Sequence, residues 1–238
     1  MRLAVISDIH GNPHALEAVL EDIERQGVDA TLSLGDFLSG PGDPAGVADR
    51  LMALDFMSVR GNHDRFIVDG RPENDWHIDA MVRATLNEAQ MAWLRAVPQT
   101  QVFEGEVLLS HGTPRDDNAS FMDGLEGGRQ VLMPREHIER EAAGFDYPVI
   151  LCGHTHVPRS LRLDDGRLVV NPGSVGLPFE IGSPDARYGI IEKRRQGWNA
   201  DLKSVAYDHQ AAAQLAVERG YPRWADVLMY GWASPRGI

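Results

Sequence analysis

The chain is poor in cysteine and lacks long apolar runs. Its single cysteine, Cys152, excludes an intramolecular disulfide. Because Cys152 follows the apolar residues 149–151, we expect a small buried core residue rather than a reactive thiol. No stretch reaches the roughly 18 apolar residues of a membrane span, and the apolar run at the N-terminus is too short for a signal peptide. We therefore expect a cytoplasmic protein without a membrane partner.

Positive charge is also scarce, which argues against one class of partner. The 238 residues include 23 Lys and Arg against 35 Asp and Glu, a net charge of −12. Non-specific nucleic-acid binding needs a basic face, so we do not expect a nucleic acid polymer as partner. An anionic substrate stays open, since bound metal ions can invert the local field. The length and the apolar fraction of 43% favour one large globular domain.

The first 60 residues alternate between strand and helix patterns. Apolar residues at helical spacing follow Asn12 and Asp43, each of which precedes a proline and is typical of a helix N-cap. Short apolar runs predict strands at residues 3–7, 30–34 and 56–59. This βαβαβ order predicts a parallel sheet with right-handed crossovers, and functional groups then belong at the carboxyl ends of its strands.

The rest of the chain predicts a second sheet and further helices. Residues 112–133 are rich in glycine and weakly periodic, so we expect a long surface loop or partial cap there. The last 30 residues predict two helices that carry Trp224 and Trp232. Further helices are predicted at 74–97, in two pieces, and at 136–143. Further strands are predicted at 100–103, 107–110, 149–152, 160–163, 168–170, 188–191 and about 199–205.

Aspartate, asparagine and histidine gather at the predicted strand ends. They occur in short motifs, in chain order Asp8-Ile9-His10, Gly35-Asp36, Gly61-Asn62-His63-Asp64, His111-Gly112 and Gly153-His154-Thr155-His156. Residues two apart in an extended segment point to one side, so Asp8 with His10, and His154 with His156, form pairs. Such ligands without thiolate suit Mn²⁺, Fe²⁺, Zn²⁺ or Ni²⁺. Asp36, alone at a strand end, suits a carboxylate that bridges two ions.

Coincidence is the alternative explanation for these motifs. A single Asp-x-His is weak evidence, and a lone histidine after a strand is more often a hydrogen-bonded structural residue. Five of the nine histidines lie in these motifs, however, and most of them have a glycine beside them. Glycine lets the backbone turn tightly and approach a ligand. The joint occurrence favours a metal site.

The motifs resemble those of the calcineurin-like metallophosphoesterase superfamily, whose pattern D-x-H, G-D, G-N-H-[DE], H and G-H-x-H is matched in full and in order. The resemblance covers residues 3 to about 192. The signatures at 7–12 and 171–174 are similar to the small YfcE-like branch of bacteria and archaea. The resemblance implies a four-layer αββα sandwich with the dinuclear centre at one edge. We expect one domain over 1–238, with a catalytic core to about 205 and a helical extension over about 206–238.

The resemblance also implies a role for each motif residue. One metal would be held by Asp8, His10, Asp36 and His156, and the other by Asp36, Asn62, His111 and His154. His63 would contact the phosphate and protonate the leaving oxygen, and Asp64 would orient the ring of His63. Asn12, Arg115 and Arg129 are candidates for substrate contacts, although a solvated role fits each arginine equally well.

The activity implied by the resemblance is that of a dinuclear-metal-dependent phosphoesterase, in which a metal-bridging hydroxide attacks phosphorus. A small phosphodiester or nucleotide is the favoured substrate. Phosphomonoesters, phosphoproteins and dinucleoside polyphosphates stay open. A rival of another class is a non-catalytic interaction module, because a retromer subunit shares this fold and has lost catalysis through altered motif residues. The intact ligand positions and His63 favour an enzyme. The native metal and the formation of a homo-oligomer stay open.

Overall fold

Twelve strands and eight helices follow one another in the part of the chain that the computed structural model describes, residues 1–70, 77–126, 129–180 and 182–231. The strands are β1 (Arg2–Ile6), β2 (Ala30–Ser33), β3 (Met57–Ser58), β4 (Gln101–Phe103), β5 (Val107–Leu109), β6 (Asp123–Glu126), β7 (Arg129–Leu132), β8 (Val149–Leu151), β9 (Arg159–Arg162), β10 (Leu168–Asn171), β11 (Ala186–Arg194) and β12 (Gly197–Val205). The helices are α1 (Pro13–Gln26), α2 (Pro44–Leu54), α3 (Asn62–Asp69), α4 (His77–Thr85), α5 (Glu88–Ala96), α6 (Arg135–Ala142), α7 (His209–Glu218) and α8 (Pro222–Tyr230).

Two mixed sheets of five strands each carry the fold. The first has the order β12-β11-β1-β2-β3, and the second has the order β4-β5-β8-β10-β9. β1, β2 and β3 run parallel to one another, as the βαβαβ pattern predicts, and β5, β8 and β10 do the same in the second sheet. The parallel strands are neighbours in each sheet, with β3 at the edge of the first, so their carboxyl ends lie side by side.

Side-chain alternation along the strands separates three apolar layers. In β1, Leu3 and Val5 belong to a buried cluster between the sheets that also contains Leu109 and Leu151. Ala4 and Ile6, on the other face of β1, belong to a cluster with the helices α1, α2, α7 and α8. A third cluster joins the outer face of the second sheet to α6. The order helix, sheet, sheet, helix confirms the αββα sandwich.

The helix α1 begins three residues after the first motif, Asp8-Ile9-His10. Asn12 is its N-cap, and its Oδ1 accepts the backbone N–H of Ala15 at 3.1 Å. The amide of Asn12 donates to the carbonyl of Gly176 and to the hydroxyl of Tyr207, at 3.1 and 3.3 Å. Such a cap contributes about 1 kcal/mol and fixes where the chain leaves the strand end.

The region 112–133 departs from the expectation of a loop. It contains the antiparallel pair β6 and β7. Phe121 and Met122 are buried in the third apolar cluster, so the segment packs on the second sheet rather than lying free on the surface. The helix α3 was also not predicted. Its first residue, Asn62, belongs to a motif whose polar residues hid the helical pattern.

Other expectations are confirmed. Cys152 is 1% exposed, and burial raises the pKa of its thiol, so it is an inert core residue. The two C-terminal helices are present as α7 and α8, and Trp224 is buried against the same cluster as α1. Trp232 lies outside the described residues. Within the described part of the chain, no helix is both long and apolar enough to span a membrane.

Candidate metal centre

The predicted ligands meet at one edge of the two sheets. Asp8 and His10 follow β1, Asp36 follows β2, His111 follows β5, and His154 and His156 follow β8. Backbone hydrogen bonds join these strand ends to one another. His10 N–H donates to the carbonyl of Asp36 at 3.0 Å, and Gly153 N–H donates to the carbonyl of His111 at 2.6 Å. The second of these bonds links two strands of the second sheet at the site.

Left-handed backbone conformation is concentrated at this edge. Seven non-glycine residues of the described chain have positive φ, and five of these are predicted ligands: Asp8, His10, Asp36, His154 and His156, with φ between 49° and 66°. Such conformations cost about 1–3 kcal/mol each for most residues and persist where the surrounding structure enforces them. Strain of this kind clusters at functional sites, so its position supports the site independently of the motifs.

The first group of converging ligand atoms comes from Asp8, His10 and His156. Nδ1–H of His10 donates to the carbonyl of Ser39 at 2.7 Å, and Nδ1–H of His156 donates to the carbonyl of Leu177 at 2.6 Å. Burial and the neighbouring His156 lower the pKa of His10 to about 4, so its ring is neutral near neutral pH. With each Nδ1–H donated to a carbonyl, the Nε2 atoms of the two rings face each other across 3.1 Å. A cation between them would satisfy both.

An unsatisfied carboxylate oxygen lies in the same group. Oδ1 of Asp8 is buried, has no hydrogen-bond partner among the described residues, and lies 3.2 Å from Nε2 of His156. Burial alone would raise the pKa of Asp8, but His156 and His111 hold it at about 2, so the carboxylate is ionised. A buried ionised oxygen without a partner is costly. The donor set of Asp8, His10 and His156 thus fits a divalent metal.

The second group consists of Asp36, His111 and His154. Nδ1–H of His111 donates to the carbonyl of Leu34 at 2.6 Å, which turns Nε2 towards Oδ2 of Asp36 at 3.2 Å. Burial opposes a charged imidazole, yet the charge of Asp36 raises the pKa of His111 to about 10. A proton on Nε2 of His111 thus compensates Asp36 at the place where a metal ion would do so.

Asn62 completes the second group with a neutral oxygen. Its Oδ1 lies 3.1 Å from Nε2 of His111 and 3.1 Å from Nδ1 of His154. Burial and the nearby His111 lower the pKa of His154 to about 4, so the His154 ring is a neutral ligand near neutral pH. Carbonyl and imidazole donors of this kind suit the same borderline divalent ions as the first group.

Asp36 lies between the two groups. Its Oδ2 is 3.2 Å from Nε2 of His111 and 4.0 Å from Nε2 of His10. Burial alone would raise its pKa, but the surrounding histidines, His111 and His63 first, hold the pKa of Asp36 well below its usual range. An ionised carboxylate in this position suits a shared ligand for two cations.

The carboxylate of Asp64 differs from the expectation that it would orient His63. Oδ2 of Asp64 accepts the backbone N–H groups of Asp36 and Gly61 at 2.7 and 2.8 Å, and Oδ1 accepts that of Phe37 at 3.0 Å. Burial and the charge of Asp36 raise the pKa of Asp64 to about 7. Asp64 therefore ties the loop that carries Asp36 to the first turn of α3, and supports a ligand rather than the His63 ring.

The carboxylate on the His63 ring is that of Asp79, which sequence reasoning missed. Its two oxygens lie 3.1 and 3.3 Å from Nδ1 of His63. Asp79 lies in the first turn of α4, outside every motif. The sequence signal that could have identified it is a carboxylate on the buried face of that helix.

Two of the three candidate substrate residues, Asn12 and Arg115, have their polar groups engaged within the fold. The Arg115 guanidinium donates to the carbonyls of Glu141 and Ala143 at the end of α6 and lies 4.7 Å from the centre of the Phe145 ring. Arg115 thus caps a helix, as a cation at a C-terminus does. The amide of Asn12 is engaged within the fold, as described above. The side chain of Arg129 lies outside the described residues.

Comparisons with known proteins agree with this geometry. The family model of the calcineurin-like phosphoesterase superfamily domain matches residues 1–194. Phosphodiesterase YfcE of Escherichia coli is 29% identical, over 91% of this chain and 98% of that protein. An uncharacterized protein of Methanocaldococcus jannaschii is 26% identical, over 93% of this chain and 94% of that protein.

A solved structure shares the whole architecture. The crystal structure of a metallophosphoesterase from Sphaerobacter thermophilus superposes with a TM-score of 0.81 at 29% identity, and the match covers 97% of this chain and 100% of that one. The family match spans every predicted ligand position, from Asp8 to His156. The chain therefore belongs to the calcineurin-like phosphoesterase superfamily and is a metal-dependent phosphoesterase.

Proposed function

We propose that this enzyme hydrolyses small phosphodiesters or nucleotides with two divalent metal ions. The observation that carries the proposal is that two groups of possible metal ligands, each with a buried carboxylate, lie next to each other. Asp36 lies between them, with its Oδ2 near both His10 and His111. Asp8, His10 and His156 would hold one ion, and His111, His154 and Asn62 the other. The unpartnered Oδ1 of Asp8 supports the first position. Mn²⁺, Fe²⁺, Zn²⁺ and Ni²⁺ all suit these donors.

The metal ions, when bound, supply Lewis acidity that polarises the phosphate and favours ionisation of a nearby water molecule. The protein's own groups then position the reaction. The His63 ring, 15% exposed at the start of α3, is the accessible proton donor beside the buried ligands. Because its Nδ1 faces Asp79, Nε2 is the ring nitrogen that would donate to the leaving oxygen. No nucleophilic serine or cysteine is needed, and Cys152 is buried.

The preference for a small ester rests on two supports. The phosphodiesterase named among the relatives matches over nearly its whole length. The net charge of −12 opposes the approach of a polyanion. The acidic residues of the 112–133 segment contribute less than their number suggests. Asp117 is paired with Arg65 at 2.7 Å, and Asp123 with Arg159 at 2.6 Å, so part of their charge is neutralised within the fold.

A substrate screen tests the proposal. Purified protein loaded with Mn²⁺ is offered phosphomonoesters, phosphodiesters, a dinucleoside polyphosphate and a phosphopeptide, and release of product is followed for each. We expect phosphodiesters or nucleotides to have the highest kcat/KM. Asp36→Ala is the inactive control, and Asp201→Ala, at a carboxylate that is 62% exposed, is the matched control. Faster turnover of monoesters or phosphopeptide would favour a phosphatase. Metal-loaded protein that hydrolyses none of the probes would favour the non-catalytic module.

A further inference from the structure

The buried carboxylate of Asp79 contacts the Nδ1 side of the His63 ring. Asp79 is 2% exposed, whereas the His63 side chain is 15% exposed, so the ring reaches from the protein interior to the edge of the site. Both oxygens of Asp79 lie within 3.3 Å of Nδ1 of His63. A carboxylate that faces Nδ1 favours the tautomer with the proton on Nδ1, so that Nε2 is the nitrogen that would exchange a proton with the substrate.

Asp79 is itself held in place. Oγ of Ser39 donates a hydrogen bond to Oδ1 of Asp79 and lies 3.2 Å from Nδ1 of His63. On either side of Asp79 in α4, Ile78 and Val82 are buried in the core, so the helix cannot turn its carboxylate away without losing apolar contacts. The orientation of the Asp79 carboxylate is therefore fixed by both a hydrogen bond and packing.

Ser39 also connects this contact with the metal centre. Its backbone carbonyl accepts Nδ1–H of His10, a ligand of the first group, at 2.7 Å. Ser39 is fully buried, three residues after Asp36 in the same loop. One residue thus fixes the direction of a metal-ligand ring through its carbonyl and the Asp79–His63 contact through its hydroxyl.

We propose that Asp79 is the positioning residue of His63, with Ser39 fixing its carboxylate. The proposal rests on the proposed function, since it assigns a role in leaving-group protonation. When the P–O bond breaks, its electron pair stays on the leaving oxygen and the proton on Nε2 moves to that oxygen. His63 becomes a neutral ring that keeps its proton on Nδ1 towards Asp79. Asp79 orients the ring and does not itself contact the substrate.

Kinetics with two matched diesters test the positioning role. Ethyl phenyl phosphate has a more basic leaving group than ethyl p-nitrophenyl phosphate and depends more on protonation. For Asp79→Asn we expect kcat to fall about 10–100-fold with the phenyl ester and about threefold or less with the nitrophenyl ester. The loss with the phenyl ester is smaller than the full effect of a general acid, about 10²–10⁴-fold, because His63 itself is still present. KM and metal content should not change. Ser39→Ala should show the same pattern with a smaller loss. Glu88→Gln, an exposed first-turn carboxylate of α5, is the matched control.

A spectroscopic measurement separates this proposal from the proposed function. ¹⁵N NMR of the His63 ring is recorded at one fixed pH on full-length protein loaded with diamagnetic Zn²⁺, and His63→Gln assigns the signal. In Asp79→Asn the NH₂ group replaces Oδ2, which lies 3.3 Å from Nδ1, and the remaining neutral amide oxygen is a weaker acceptor for Nδ1–H than the carboxylate. The Nδ1–H tautomer of the wild type should then give way to Nε2–H.

A tautomer change together with the leaving-group pattern supports the proposal. If the tautomer changes but no ester is hydrolysed by the wild type, the contact stands and the proposed function fails. If the wild type is active and Asp79→Asn leaves the ring signal unchanged, or slows both esters equally, Asp79 has only a structural role and the proposal is overturned.

Discussion

Oδ2 of Asp64 accepts the backbone N–H of Asp36 at 2.7 Å, so a side chain in the first turn of α3 holds the loop that carries Asp36. The same oxygen accepts Gly61 N–H, and Oδ1 accepts Phe37 N–H. The neighbouring His63 N–H donates to Oδ1 of Asp36 at 2.9 Å. The Asp36 side chain is therefore oriented from the first turn of α3 as well as from its own strand.

This relationship predicts that Asp64→Asn destabilises the fold. An amide can turn only one acceptor oxygen towards the three donors, and its NH₂ group meets another N–H. We expect the free energy of unfolding to fall by about 1–3 kcal/mol, since a buried N–H group left without an acceptor costs about that much. Denaturant unfolding measures the change. Asp69→Asn, at the exposed end of the same helix, should have almost no effect. Equal stability of both variants would contradict the support role of Asp64.

Removal of Asp36 should empty the metal centre. Asp36 lies between the two acceptor groups, so Asp36→Ala removes a ligand from both. We expect about two metal ions per chain in the wild type and fewer than one in the variant, measured by elemental analysis after dialysis. Asp201→Ala, which changes an exposed carboxylate, should keep the wild-type content. Two retained ions in Asp36→Ala would refute the shared position.

His63→Ala should separate metal binding from chemistry. The ring contacts Asp79 and Ser39 through Nδ1 and is more exposed than six of the seven proposed ligands, so its loss should leave the metal content unchanged. The rate should fall about 10²–10⁴-fold for esters with basic leaving groups. Esters with weakly basic leaving groups should be affected less. A metal-free His63→Ala protein would show instead that His63 is a ligand.

Crowding at Gly61 should impair the site without backbone strain. A Cβ at Gly61 would lie 2.1 Å from Oδ1 of Asp36, while its φ of −92° suits any residue. We expect Gly61→Ala to displace Asp36 and to weaken metal binding about tenfold or more, as measured by calorimetric titration with Mn²⁺. Gly166→Ala is the counterpart: its φ is +91°, and its Cβ would meet no described atom within 4 Å. This variant should cost about 1 kcal/mol of stability and bind metal normally. Equal metal affinity of the two variants would contradict the crowding argument.

A hydrogen bond far from the site should give a pH-dependent stability. The buried Tyr188 hydroxyl donates to Oδ2 of Asp22 at 2.5 Å, and this bond lowers the pKa of Asp22. A lowered folded-state pKa means that the contribution is complete above the unfolded pKa and is lost as the pH falls through the folded one. Tyr188→Phe should therefore be about 1–2 kcal/mol less stable at neutral pH, with the difference shrinking in acid. Urea unfolding over a pH series measures it. A difference that is constant with pH would assign the effect to packing alone.

Much of the fold was predictable because its signals are local. The apolar runs of β1, β2, β5 and β8 mark buried strands whatever surrounds them, and the Asn-Pro and Asp-Pro pairs mark helix starts. The hairpin of β6 and β7 was not predictable. Its strands are short and carry Asp123, whose partner Arg159 is 36 residues away. The burial of Asp123 depends on this ion pair with a residue far away in the sequence. The local spacing of apolar and polar residues therefore cannot predict it.

The sequence by itself determined which side chains converge at the candidate site, because Asp, Asn and His that follow parallel strands meet where the ends of those strands meet, whatever their separation along the chain. Only the tertiary structure decided which groups support them. Asp64, next to His63, turns its carboxylate to the Asp36 loop, whereas Asp79, 16 residues away, faces the His63 ring. Likewise, the tertiary structure places the guanidinium of Arg115 at the end of α6, where it donates to the carbonyl of Glu141. The direction of a side chain depends on which elements pack together, and that is a property of the whole fold.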